Sequence, residues 1–145
     1  MPLLWFLLAI TLFVATLFQS EQASKTNSMA DAEVVAVSGS MLLYRNFVAT
    51  YADTHSTMTG IVPDVSLTLP SWYVKPPSLS NYMSAGRSYV FFSDPLPGLA
   101  GELARRTEST NVGTNQNGVL LAPNKASSGI VLPAQIPNGS VVLIQ

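Results

Sequence analysis

The spacing of apolar residues changes twice along the chain. Residues 2–18, PLLWFLLAITLFVATLF, contain no charged side chain, and QSEQ at 19–22 ends the run. As a helix this stretch spans roughly 25 Å, near the hydrocarbon thickness of a bilayer. Trp5 is placed for an interfacial ring. A cleaved signal peptide would want a basic leader and small residues at a cleavage site. No Lys or Arg precedes the run, and Phe18-Gln19-Ser20 and Glu21-Gln22-Ala23 fit such a site poorly. The pattern therefore predicts a retained transmembrane signal anchor at 1–20. A polar linker or helical extension follows at 21–28, EQASKTNS.

A second periodicity begins at Val34. Val34, Val37, Met41, Tyr44, Val48 and Tyr51 fall at spacings of 3, 4, 3, 4 and 3, with Val35, Leu42 and Phe47 widening the stripe. This spacing predicts an amphipathic helix over 29–54 whose apolar face packs on a sheet. Gly39 lowers its intrinsic propensity by about 1 kcal/mol without interrupting the stripe.

After His55 the period shortens. IVPDVSLTL at 61–69 alternates, placing Val65, Leu67 and Leu69 on one face, but Pro63 restricts it to an edge strand or extended loop. Prolines at 70, 76 and 77 frame SWYVK. SNYMSAG at 80–86 is expected as a loop and SYVFFS at 88–93 as a strand. A short helix is expected over 98–107, with Asp94 at its entry as N-cap and Arg105 and Arg106 in its last turn. TESTNVGTNQNG at 107–118 is expected as a polar loop. GVLLAP, SGIVLP and SVVLIQ then read as short strands, with Asn124-Lys125 and Pro137-Asn138-Gly139 as hairpin turns. The fold class is α+β. It consists of an N-terminal transmembrane helix, an amphipathic helix packed on an antiparallel sheet of about four strands, and one further short helix, with 29–145 as one domain.

Composition narrows the function. The net charge is -1, from 7 Lys+Arg and 8 Asp+Glu, and the basic residues form no stripe, so no nucleic-acid partner is expected. The chain has no cysteine and one histidine. That excludes disulfides, thiolate catalysis, Cys-based zinc sites and two-histidine chemistry. The absence of cysteine and a Ser/Thr/Asn-rich composition fit an exported domain.

No catalytic constellation emerges. There is no G-x-S-x-G elbow, and Asp53 lies two positions before His55, on a different helical face. The acids Asp53, Asp64, Asp94, Glu102 and Glu108 show no pairing spacing, and Gly98-Leu99-Ala100-Gly101 is not a phosphate loop. No catalytic, cofactor-binding or metal residues are assigned, and no small-molecule substrate is expected. Arg45, Trp72, Tyr73, Tyr82 and Arg87 are instead of the types enriched at interface hot spots, and are the candidate interaction residues.

Five segments carry a family resemblance: MLLYRNFVATYA, GIVPD, LPSWYVK, NYMSAGRSYVFF and LPAQIPNGSVV. In order and spacing the chain resembles the PilM proteins of plasmid type IVb (thin, conjugative) pilus systems, which are distinct from the larger actin-like proteins sharing that name. The resemblance implies a single-pass inner-membrane protein with its C-terminal domain in the periplasm, acting in pilus biogenesis. Its implied partners are other pilus assembly proteins and inner-membrane lipid, with a homo-oligomer left open. It implies no catalytic residue. The expected function is a non-enzymatic scaffold of the assembly apparatus. The alternatives are a minor-pilin-like subunit, against which the missing prepilin processing site argues, and a small periplasmic envelope hydrolase.

Overall fold

A computed structural model describes the backbone of residues 2–145, and the side chains of Ile10, Leu12 and residues 28–145. Helix α1 runs from Pro2 to Thr54 without a break at Gly39 or at the polar stretch 21–28. The expected anchor at 1–20 lies, but for Ile10 and Leu12, outside the residues whose side chains are described. Among the described residues no helix is long and apolar enough to cross a membrane. Two compact units divide the chain, Met1–Glu33 and Val34–Gln145. The second holds the C-terminal part of α1 and every other element of the fold.

Strands β1 (Leu79–Ser84) and β2 (Arg87–Phe92) precede helix α2 (Leu99–Thr107). Strands β3 (Val112–Gln116), β4 (Val119–Leu121), β5 (Ser127–Val131) and β6 (Val141–Ile144) come after it. They form one antiparallel sheet of six strands in the order β1-β2-β6-β3-β4-β5. The fold is thus α+β as expected, but the sheet exceeds the expected four strands. SNYMSAG and the polar stretch before Gly118 are not loops: they supply β1 and β3. The C-terminal strand β6 enters the middle of the sheet, between β2 and β3. Pro137-Asn138-Gly139 is therefore no hairpin turn, because β5 and β6 are not neighbours.

Side-chain alternation divides the core in two. On one face Leu79, Met83, Val90, Phe92, Val112, Val141 and Leu143 meet Met41, Tyr44 and Val48 of α1 and Leu99 and Leu103 of α2. The predicted stripe is thus the core face of α1, with Met41, Tyr44 and Val48 fully buried. On the other face Tyr82, Tyr89, Phe91, Val142 and Ile144 are covered by Leu120, Leu132 and Ile136. Burying either set contributes about 25 cal/mol per Å² of apolar surface.

Two close fits organise this frame. At Gly113 a methyl group would stand 2.0 Å from the Leu121 carbonyl oxygen, so only glycine allows β3 to approach there. Asn117 (φ 53°) and Gly118 (φ 82°) make the tight β3–β4 turn, for which an Asn-Gly pair is the favoured chemistry. Helix α2 begins after Gly98, which makes no side-chain cap. Asp94 is not the expected N-cap; it accepts a hydrogen bond from the Ser78 hydroxyl.

Candidate interaction surface

Between α1 and β1 the chain makes a long connection, residues 55–78, with one short 3-10 turn at Asp64–Ser66. This turn is why the alternation expected at 61–69 fails: Leu67 is buried, whereas Val65 is 95% exposed. The connection is nevertheless firmly held. Gly60 and Met83 exchange backbone hydrogen bonds of 2.9 and 2.8 Å, covering the outer edge of β1. The buried Asn81 side chain accepts from Val62 N at 2.8 Å and donates to Val62 O at 2.9 Å. One asparagine thereby satisfies both backbone groups of Val62.

Tyr44 is the centre of this arrangement. Its hydroxyl accepts from Asn81 Nδ2 and donates to Asp64 Oδ1, both at 2.7 Å. Lys75 Nζ lies 2.5 Å from Asp64 Oδ2 and 5.4 Å from the centroid of the Tyr44 ring. Tyr73 stacks on Tyr44 with ring centroids 6.4 Å apart, and its hydroxyl lies 2.9 Å from Ser40 Oγ. Burial, reinforced by the Asp64 hydrogen bond, pushes the Tyr44 phenol far above its ordinary value. Burial also pulls the Asp64 carboxyl upward, but hydrogen bonds from Lys75 and Tyr44 outweigh it and hold the group below its ordinary value. Burial raises the Tyr73 phenol as well. The Asp64 carboxylate thus sits between the Tyr44 hydroxyl, which donates to one of its oxygens, and Lys75, which pairs with the other. Hydrogen bonds that link several side chains in this way hold one another in place.

The inward residues dictate which neighbours face out. Val62, Asp64, Tyr73 and Lys75 turn toward Tyr44 or its partner Asn81. Adjacent to them, Ile61 is 63% exposed, Val65 95%, Trp72 70% and Val74 84%. Four large apolar side chains are thus displayed to solvent by a segment anchored at one tyrosine. Trp72 is braced edge-on by Tyr73, with centroids 6.5 Å apart and planes at 81°.

Of the candidate interaction residues, Trp72 and Tyr73 belong to this surface. The other three are placed elsewhere. Tyr82 is buried in the opposite core, paired across strands with Tyr89. Arg87 is exposed at the start of β2. Arg45 is half-buried on α1, and its Nε has no hydrogen-bond partner among the described residues. Ile61, Val65 and Val74 escape a reading of the sequence because a single exposed aliphatic carries no signal there. The Asp64–Lys75 pair escapes it because only folding joins residues that far apart.

Titratable groups elsewhere are dispersed. His55 stands exposed after α1, stacked on Tyr51 with ring centroids 4.0 Å apart. Glu102 is held down to about 2 by hydrogen bonds from Arg105 and then Arg106 along α2. Among the described residues no group of three or more His, Asp or Glu side chains is placed to hold a metal ion. An open cleft of about 510 Å³ between the α2 entry and the β3–β4 hairpin has no acid or histidine in its lining.

Comparison with known proteins places this architecture. No curated protein matches the chain. A crystal structure given as PilM from Escherichia coli B7A is 25% identical, covers 79% of this chain and 93% of its own, and superposes with a TM-score of 0.61. A crystal structure given as a pilM protein from Pseudomonas aeruginosa 2192 is 39% identical, covers 78% and 95%, and gives a TM-score of 0.52. The PilM family model matches residues 6–144, nearly the whole sequence, and the chain belongs to the PilM family.

Proposed function

We propose that the chain is a non-enzymatic scaffold of a type IVb pilus assembly apparatus, working through protein contacts at the surface built over Tyr44. Family membership implies a pilus-related role. In this proposal the N-terminal segment anchors the protein in the inner membrane, and residues 34–145 form its periplasmic part. The observation carrying the binding role is the outward display of Ile61, Val65, Trp72 and Val74 by a segment held at Val62 and Asp64 through hydrogen bonds to Asn81 and Tyr44. Large apolar side chains held exposed on one segment are available to a partner, and apolar patches mark interaction sites. A preordered segment also loses little conformational entropy when a partner binds.

The test is liquid-mating efficiency in cells whose conjugation depends on the pilus, with protein level measured for each variant. Trp72→Ala should lower mating at normal protein level, as truncating a hot-spot aromatic costs about 2 kcal/mol of binding. His55→Ala and Asp53→Ala should leave it near wild type. An acid-to-alanine change that abolished mating at normal level, with Trp72 replaceable, would overturn the binding role and point to catalysis.

A further inference from the structure

We infer that Asn117 and Asn138 are latent deamidation sites, kept unreactive in the folded chain by Asn115. The sequence holds two Asn-Gly pairs, Asn117-Gly118 and Asn138-Gly139. Asn-Gly is the dipeptide in which this reaction is easiest, because glycine has no side chain to hinder its own nitrogen or restrict its backbone. The glycine nitrogen attacks the side-chain carbonyl carbon of the asparagine, and the new C–N bond closes a five-membered succinimide. The side-chain nitrogen leaves as ammonia, taking the proton of the glycine N–H. Water then opens the ring at either carbonyl, leaving aspartate or isoaspartate. Both asparagines are exposed, so burial does not keep water from them.

What the fold holds back is the nucleophile. Gly118 N donates to Asn115 Oδ1 at 2.9 Å. Gly139 N donates to the Asn115 backbone oxygen at 2.8 Å. One buried residue thus takes both attacking nitrogens, the first with its side chain and the second with its main chain. A nitrogen whose proton is shared with a fixed oxygen is hindered both from losing that proton to water and from swinging onto the carbonyl carbon. The electrophile at Asn138 is held as well, because its Oδ1 accepts from Asn117 N at 2.8 Å. Asn115 is fixed in turn by its donations to the Ile136 and Pro137 carbonyls. The turn that carries the first pair needs these residue types, since Asn117 and Gly118 both adopt the left-handed backbone of a tight hairpin. Isoaspartate at 117 would add a main-chain carbon to that turn and disturb the register of β3 with β4. The fold therefore uses a reactive dipeptide for its geometry while a neighbouring asparagine suppresses its chemistry.

The test incubates the full-length chain in mildly alkaline buffer, folded or in urea, and follows asparagine, aspartate and isoaspartate at 117 and 138 by peptide mass spectrometry. The unfolded chain should convert at both pairs. The folded chain should convert at least about tenfold more slowly, since each attack first requires a held N–H to open. Asn115→Ala should remove most of this protection, at Asn117 by losing the bond to Gly118 N and at Asn138 by freeing the 136–140 segment. Asn81→Ala is the control. It also strands buried backbone groups, but on β1, and should leave both pairs close to wild type. Equal conversion in folded and unfolded wild type would overturn the inference. So would equal acceleration by the two variants, because protection would then come from overall stability and not from Asn115. If Asn115→Ala does not fold, amide exchange in the wild type decides. Slow exchange at Gly118 and Gly139 supports the hold, and exchange at the rate of an unstructured peptide overturns it.

Discussion

Two buried asparagines, one on the edge strand β1 and one on the interior strand β3, hold two loops with opposite results. Near one edge, Asn81 on β1 binds both backbone groups of Val62 and the Tyr44 hydroxyl. Inside the sheet, Asn115 on β3 donates to the carbonyls of Ile136 and Pro137 and accepts from Gly118 N. The two are 1% and 3% exposed, so both are structural. The loop held by Asn115 packs its apolar residues inward: Leu132 and Ile136 are 5% and 3% exposed. The connection held by Asn81 turns Ile61, Val65, Trp72 and Val74 outward. The outward apolar groups are therefore not the result of a poorly held loop. The same device serves closure in one region and display in the other.

The closed region depends on backbone contact as well as on Asn115. Gly113→Ala places a methyl group against the Leu121 carbonyl, where no flexible side chain can give way. It should therefore be the most damaging single change considered, costing more than about 4 kcal/mol. Urea unfolding of the full chain measures it. A loss below about 1 kcal/mol would mean that β4 can shift away from β3, and that the closed region is looser than its packing implies.

Removing either asparagine side chain tests the comparison directly. Asn115→Ala and Asn81→Ala each strand buried backbone groups, at a cost of about 2–4 kcal/mol. Hydrogen exchange should separate them. Asn115→Ala should expose amides at 136–140 and open the core beneath Leu132 and Ile136. Asn81→Ala should speed exchange at Gly60 and Val62 while leaving 136–140 protected. If the two variants gave the same exchange map, the two loops would belong to one cooperative unit.

Tyr44 permits a finer test. Tyr44→Phe loses the bonds to Asp64 and Asn81 and should cost about 1–2 kcal/mol. The pH dependence carries a definite sign. The folded protein holds the phenolic proton more tightly than the unfolded chain, whose value is near 10.0. Stability from this group is thus intact below pH 10 and falls as pH rises above it. Asp64 acts in reverse, since its folded value lies below the ordinary 3.8. Its contribution is present above that pH and is lost as pH falls through the folded value. Melting temperature against pH should show both limbs, with Tyr44→Phe flattening the alkaline one and Asp64→Asn the acid one.

The same comparison explains what the amino-acid pattern reveals. The stripe from Val34 to Tyr51 is legible because α1 buries an unmixed apolar face. Strand β2 is legible because Tyr89 to Phe92 is almost wholly buried. Strands β1 and β3 are not, because each carries an asparagine at a buried position, and LSNYMS and VGTNQ then look like loop. Asn117-Gly118 is the available signal for the β3–β4 hairpin. Within the surface, Trp72 and Tyr73 stand out by residue type. Tyr44 reads only as core, because a buried hydroxyl reveals its partners only when Asp64 and Asn81 arrive from elsewhere in the chain.

The smallest expected effect is the sharpest contrast. Ile136→Thr and Val74→Thr both replace a β-branched aliphatic with a β-branched hydroxyl-bearing side chain, one carbon shorter at Ile136 and of the same shape at Val74. At Ile136 the hydroxyl would be buried against Leu132 and the aromatic side chains of the second core. Lost burial and an unmade hydrogen bond should then cost about 2–3 kcal/mol. At Val74, which is 84% exposed, the same chemistry removes little packing and leaves the hydroxyl in water. Stability should change by less than about 0.5 kcal/mol. Mating efficiency should fall, because the change removes exposed apolar area and not fold. Paired melting curves for the two variants measure the stability side. A melting-temperature loss at Val74→Thr comparable to that at Ile136→Thr would show that Val74 is packed within the monomer, and the distinction between display and closure would fail.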